Sequence, residues 1–490
     1  MIDRPRRPPR IELAPGLEVP RILTGLWQVA DMERGGRSLD PDRACAALGE
    51  YADAGFDVFD MADHYGSAES IAGRLLAMPG RQNARAFTKW CPVPGPMTRA
   101  AVGEGVGRSC ERLGLKRIDL LQFHWWDYRH PGYIDAMTEL LRLRQEGRIA
   151  HLGVTNFDTD HLRLLVRHGI PVATNQVSFS LLDRRAAGRM SEYCRASGVR
   201  LLAYGTLAGG FLTDAWVGKP EPTQIADWSK SKYKRFIDAA GGWQALQRIL
   251  AAAQAIARKH GVSVSNVAVR WVLEQEAVAA VIVGARLGES EHRADNLKIF
   301  GFSFDQSDRK TLAEALAGSR ELPGDCGDEY RRPPFLTASG DLSHHLTSHA
   351  PAFAAHPAEG RPDRSRVDSG SKWEALAGYA RAVRTGKRIV VSGTTATHGA
   401  GDVVCPGDAE GQAVYILDKI AAALGALGGA LEDVVRTRIY MRNIGQWEPV
   451  ARVHGRYFGA IRPVNTLVGI NCFVGDYEVE IEAEAEVSNR

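Results

Sequence analysis

From about residue 20 to 300, eight short apolar runs recur, each followed by a longer stretch with Leu, Ala and Ile at helical spacing. The runs are Ile22–Leu26, Asp57–Asp60, Ala86–Lys89, Ile118–Phe123, Ala150–Val154, Ala173–Val177, Arg200–Tyr204 and Val278–Val283. Runs of this length suit strands buried on both faces, the condition of a parallel sheet with helical crossovers. Stretches such as Asp42–Ala54, Arg99–Leu113, Tyr133–Glu146 and Thr159–His168 supply the crossovers. Eight strand–helix units over this length predict an α/β chain closed as a (β/α)8 TIM barrel. An open doubly wound sheet would want a Gly-rich turn after its first strand, and residues 24–36 contain no G-x-G-x-x-G.

In a barrel of this kind the chemistry sits where strands end. Asp60, Lys89 and His124 stand at or just past three strand ends, and Tyr65 follows the first of them by one short turn. Reducing a carbonyl needs a hydride donor and an acid that protonates the developing alkoxide. A phenol, whose ordinary pKa is near 10, is a poor acid at neutral pH unless a cation lies beside it. Lys89 would supply the cation, Asp60 would hold the ammonium, Tyr65 would be the acid and His124 would donate to the substrate oxygen. Each alone has a plainer role: strand cap, loop aromatic, buried ion-pair partner, satisfied core histidine. Four at three successive strand ends make coincidence improbable.

A chain of 490 residues exceeds one ordinary domain. The formal charge of +3, with no run of Lys and Arg interleaved with aromatics, argues against a nucleic-acid partner. No stretch approaches the roughly 18 apolar residues of a membrane span, and no apolar signal segment follows the basic N-terminus, so a cytoplasmic protein with no membrane partner is expected. Seven dispersed cysteines without a Cys-x-x-Cys pair suit reduced thiols and lend no support to a zinc or other metal site. Gly205 to Gly241 is long for a loop after a strand and carries Trp216, Trp228, Tyr233 and Phe236, which suggests a flap over the site.

Residues 1–320 are thus expected to form the barrel. Residues 321–371, rich in Pro, Gly, Ser and His, read as a linker whose first part has the option of packing on the barrel, and His344, His345, His349 and His356 in it as solvated histidines. From 372 to 490 strands at Ile389–Ser392, Val434–Met441, Leu467–Ile470 and Glu478–Val487 alternate with helices at Gly411–Leu424 and Trp447–Phe458. The alternating Glu478–Glu484 has one buried and one polar face, so a small α+β domain follows the linker.

These residues carry two family resemblances. Residues 12 to 320 resemble the aldo-keto reductases: FDMADHYG matches that family's Asp-x-x-x-x-Tyr signature, FTKW its lysine segment and LLQFHWWD its histidine segment. The resemblance implies an oxidoreductase working on an aldehyde, ketone or sugar, with Asp60, Tyr65, Lys89 and His124 as its tetrad. It also implies a nicotinamide cofactor held by Thr155 and Asn156 of GVTNF, Gln176 of NQVSFS and Tyr204 of LLAYGTLAGG. In VIVGARLGESEHRADN it assigns Gly284, Arg286, His292 and Asn296 to the nucleotide end, with a helix opening near Glu289 to favour an anion. NADP(H) follows from Arg286; NAD(H) stays open, because His292 stands where many members have arginine. Trp27, Trp125 and Trp126 would line the substrate pocket.

Residues 372 to 490 resemble the Rid family, also called YjgF, a chorismate-mutase-like α+β fold, through GYARAVRTGKRIVVSGTTA, EDVVRTRIYMRNIGQWEPV and YEVEIEAEA. Tyr379, Ser392 and Glu480 match that family's site, but Asn465 replaces the arginine that grips a substrate carboxylate. The resemblance implies a homotrimer and a module that binds a small molecule or hydrolyses an enamine or imine. Two other functions compete with the reductase. One is a cofactor-holding redox scaffold assembled by the second domain, and the other is an imine hydrolase with an ancillary reductase.

Overall fold

A computed structural model of the chain describes residues 6–30, 39–331, 350–399 and 401–488. A two-stranded hairpin, β1 (Arg10–Ala14) and β2 (Leu17–Pro20), leads into the barrel. The sequence reading did not anticipate it. Its Leu13, Leu17 and Val19 share a buried cluster with the barrel residues Val58, Phe87, Leu120 and Leu202, which closes the end of the barrel opposite the strand C-termini.

The eight barrel strands are β3 (Ile22–Gly25), β4 (Val58–Asp60), β5 (Arg85–Trp90), β6 (Ile118–His124), β7 (Ile149–Thr155), β8 (Val172–Ser178), β9 (Arg200–Tyr204) and β10 (Val278–Gly284). They pair in parallel in chain order, and β10 closes on β3. The expected runs match these strands to within two residues at each end. In this closed sheet Asp60, His124, Thr155, Tyr204 and Gly284 are the last residues of their strands, so one rim collects them.

The remaining strands belong to the second domain. A seven-stranded sheet runs in the order β11 (Ala355–Ala358), β12 (Arg361–Val367), β13 (Ala382–Thr385), β14 (Arg388–Thr395), β19 (Val479–Glu486), β17 (Val434–Met441) and β18 (Val464–Gly469). A short pair, β15 (Thr397–His398) and β16 (Asp402–Val403), stands apart. Helix Ala409–Ala426 is buried at every position from Gly411 to Leu424, because it packs on the sheet and on barrel helix Thr159–Arg167, with Gln412, Asp418 and Lys419 as the polar exceptions on a mostly apolar circumference.

The stretch read as a linker is therefore structured at both ends. Residues 325–331 pack over the barrel rim and 355–367 add two strands to the sheet; His356 sits exposed in β11, and His344, His345 and His349 lie outside the described residues. Among the described residues no helix is long and apolar enough to cross a membrane.

Candidate active site

Asp60 is the hub of the rim. Its Oδ2 accepts from Lys89 Nζ at 2.7 Å, and its Oδ1 accepts from Gln122 Nε2 at 3.0 Å and Gln176 Nε2 at 2.7 Å. A carboxylate buried this deeply keeps its charge only when paired and hydrogen-bonded, and here both oxygens are engaged. The Lys89 ammonium lies 5.1 Å from the centre of the Tyr65 ring, which Trp27 meets edge-on at 4.9 Å. His124 is buried; burial first, then the positive charges of Arg331, His64, Lys89 and Lys232, push its imidazole well below its ordinary pKa. The ring is therefore neutral at pH 7. Its contacts, Asn156 Nδ2 at 3.4 Å and Cys91 Sγ at 3.7 Å, are long.

Asp60, Tyr65, Lys89 and His124 all line one cavity of about 630 Å³ at this rim. Thr155, Asn156, Gln176, Tyr204, Gly284, Arg286, His292 and Asn296 line it too, as do Trp27 and Trp126. Trp125 does not. It is fully buried beneath the rim, its indole N–H donating to the carbonyls of Asp127 and His130 at 2.8 and 3.0 Å.

Two further expectations are redirected. Gln176 spends its side-chain N–H on Asp60 and on Gln122 Oε1 at 3.0 Å, so it supports the hub. The helix near the nucleotide end starts at Arg293, with His292 as its cap, and residue 289 belongs to the preceding turn. Asn156 has φ +57, a left-handed conformation asparagine tolerates, and its Oδ1 accepts from Tyr204 Oη at 2.9 Å. At Gly284 an added Cβ would meet the Gln28 amide oxygen at 2.6 Å, so the Gln28 side chain lies close against the backbone there.

The segment after β9 covers one side of the cavity. Its helix Trp228–Ala239 is capped by Asp227, whose carboxylate also takes Arg286 at 3.0 Å from across the cavity. Gly205 and Gly209, both at positive φ, let the chain pass against the Tyr233 ring. From the other side comes residues 325–331. Arg331 donates to the Asn156 carbonyl at 2.7 Å and lies 4.1 Å over the Tyr128 ring, while Tyr330 meets His124 and Trp126 edge-on at 5.5 and 5.0 Å. Neither Lys232 nor Tyr330 was singled out from the sequence, since no spacing ties them to the tetrad. Asp63, His64 and Cys91 also gather a carboxylate, an imidazole and a thiol within 4.8 Å. Asp63 already bonds His64 at 3.0 Å and the Cys91 N–H at 3.2 Å.

The cavity fits an extended polar ligand in one further respect. Among the described residues, Gln28 Oε1, Trp126 Nε1 and Thr155 Oγ1 are buried polar atoms of lining residues that find no partner within the protein.

In the second domain, Tyr379 and Ser392 lie together around Arg381. The Arg381 guanidinium contacts Tyr379 Oη at 3.4 Å and pairs with Glu374 at 3.0 Å, and its carbonyl accepts from Ser392 Oγ at 3.2 Å. Glu480 lies against Gly393, and burial, then Glu482, raise its carboxyl pKa. Asn465 is exposed on β18 and donates to Thr437 Oγ1 at 2.9 Å.

A barrel whose rim gathers an Asp–Lys pair, a tyrosine and a neutral histidine around one long cavity belongs to the carbonyl-reducing oxidoreductases. Residues 21–317 match the model of the Aldo/keto reductase family, so the chain belongs to that family. Residues 370–487 match the Endoribonuclease L-PSP family, which makes the chain a two-domain fusion. It is 26% identical over 336 residues to aldo-keto reductase YhdN of Bacillus subtilis, covering 65% of this chain and 96% of that protein. It is 24% identical over 328 residues to an NADH-specific methylglyoxal reductase of Escherichia coli, covering 60% of this chain and 95% of that one. The solved glycerol dehydrogenase of Gluconobacter oxydans superposes with a TM-score of 0.51 at 26% identity, over 66% of this chain and 98% of that one.

Proposed function

We propose that this chain is an NADP(H)-dependent reductase of an aldehyde, ketone or sugar, with Tyr65 as the acid. The observation that carries the proposal is the convergence of Tyr65, His124 and the Lys89–Asp60 pair on one cavity of about 630 Å³ whose lining continues to Arg286, His292 and Asn296. The cofactor, when bound, supplies the hydride. Gly284, Arg286, His292 and Asn296 would hold its nucleotide end, and Thr155, Asn156 and the Tyr204 ring its reactive end. His124, kept neutral by burial, donates a hydrogen bond to the carbonyl oxygen, and the Tyr65 phenol gives that oxygen its proton. The Lys89 ammonium, fixed by Asp60, stabilises the phenolate left behind. Trp27 and Trp126 form the apolar walls.

Purified protein should oxidise NADPH in the presence of an aldehyde, and Tyr65→Phe should lower kcat by about 10²- to 10⁴-fold while still binding NADPH. Equal inactivity of wild type and variant, with cofactor still bound, would favour the redox scaffold. NADP is favoured because Arg286 offers the guanidinium fork that suits a phosphate. The test is the ratio of the Michaelis constants for NADPH and NADH, and a strong preference for NADH would reverse the choice.

For the second domain, we infer a small-molecule-binding module in a homotrimer, with hydrolysis of carboxylate-bearing imines disfavoured because Asn465 carries no charge. The open face of the sheet supports assembly: Val390, Val464 and Val468 are exposed on it. Light scattering should give three times the monomer mass of 53.4 kDa.

A further inference from the structure

Four lysines and arginines line the cavity: Lys89, Lys230, Lys232 and Arg286. Three have a carboxylate. Lys89 pairs with Asp60 at 2.7 Å, and Asp227 takes both Arg286 at 3.0 Å and Lys230 at 3.5 Å. Lys232 forms no ion pair with a carboxylate among the described residues, although it is only 9% exposed. Its ammonium is held by the hydroxyl of Tyr330 at 2.6 Å and by ring faces: Tyr330 at 4.6 Å, Tyr204 at 5.3 Å and Tyr233 at 5.5 Å.

Aromatic faces attract a cation, but they do not replace a full negative charge for an ammonium withdrawn from water. A buried ammonium facing a cavity is a standing attraction for an anionic oxygen group. Its place in the cavity tells which end of a ligand it meets. The Tyr330 ring that Lys232 covers is the ring that packs edge-on against His124 and Trp126. Lys232 thus stands one ring away from the histidine that faces the reacting oxygen, and it belongs to the helix Trp228–Ala239 that covers the cavity.

We propose that Lys232, with the hydroxyl of Tyr330, binds a carboxylate or phosphate carried by the substrate, so that the enzyme selects carbonyl compounds bearing an anionic group a few bonds from the carbonyl. This rests on the assignment of Tyr65 and His124 to the carbonyl. The anion exchanges no atoms or electrons; it anchors the substrate while the carbonyl reacts elsewhere. Lys232 is a specificity residue, and Tyr330 orients it.

The test compares a charged aldehyde, succinic semialdehyde, with a neutral one of similar length, butanal, at saturating NADPH. In Lys232→Met the ratio of the KM for the acid to that for butanal should rise about ten- to a hundredfold, the range expected for one hydrogen bond to a charged group. Lys232→Arg should recover much of the discrimination. The proposal is overturned if both KM values rise together, if neither moves, or if NADPH affinity measured by fluorescence falls by the same factor as the KM for the acid. That last outcome would assign the ammonium to a cofactor phosphate. A second arm does not depend on turnover. Calorimetry of succinate binding to the protein–NADPH complex should show binding to wild type that Lys232→Met loses. If wild type reduces neither aldehyde yet binds succinate through Lys232, the reductase assignment fails and the anion site stands; if succinate does not bind wild type, the anion site fails by itself.

Discussion

Lys89 holds its charge inside the barrel because Asp60 meets it there, and Asp60 holds its own because Gln122 and Gln176 serve its other oxygen. Removing one partner of such a buried pair strands the other. Lys89→Met should cost about 3–5 kcal/mol of stability, read from urea unfolding. A matched double variant, Asp60→Leu with Lys89→Met, should recover a large part of that loss. The pair itself was legible in the sequence, since a charged residue closing an apolar strand-length run is conspicuous. What Gln176 does was not. Gln122 and Gln176 sit on strands that also end at this rim, and only the closed barrel decides that their amides turn inward to Asp60. Lys232 and Tyr330 were invisible for a related reason: a covering helix and a tail residue reach the site from segments whose own periodicity gives no hint of it.

At the scale of elements, the sequence revealed the eight strands and the helices because burial on both faces writes itself as uninterrupted apolar runs. It hid segments whose structure depends on a distant partner. The stretch 325–331 is mostly charged and carries no apolar periodicity, yet it docks on the rim. Gly327, at φ +84, is the hinge of that docking, since a side chain there would strike the Asn156 carbonyl. Gly327→Ala should therefore lift the tail from the rim and raise the KM for the carbonyl substrate, with little change in overall unfolding. Helix Thr159–Arg167 holds a second hidden device. His161 joins Asp158 at 2.8 Å to Asp418 of the second domain at 2.9 Å, beneath the stacked Tyr128 ring. Burial alone would lower the His161 pKa, but the two carboxylates reverse this and raise it to about 10. The unfolded imidazole titrates near 6.5, so its contribution is complete below about pH 6.5 and is lost as the pH rises toward 10. Urea midpoints should fall over that window in wild type and fall less in His161→Gln.

On the scale of the whole molecule, the contact between the domains is the part of the architecture that neither resemblance contained. Each family pattern describes its own domain, and the residues joining them are ordinary helix-surface residues in the sequence. In the structure Asp418 is buried at their meeting point and takes three partners: Tyr133 Oη at 2.7 Å and His161 Nε2 at 2.9 Å from the barrel, and Tyr457 Oη at 2.8 Å from its own domain. Around it Arg163 and Arg167 reach Asp408, and His398 reaches Asp135 at 2.6 Å. This is a polar, mutually dependent contact, so the domains should unfold together in a single calorimetric transition. Asp418→Ala leaves an imidazolium and two phenol hydroxyls buried with one carboxylate fewer, a loss of about 3–5 kcal/mol drawn from the contact alone. The expected result is that the transition splits in two, with the Asp60, Tyr65, Lys89 and His124 cluster of the barrel still assembled below the first. A single transition merely shifted downward would mean instead that apolar packing of helix Ala409–Ala426 joins the domains without Asp418.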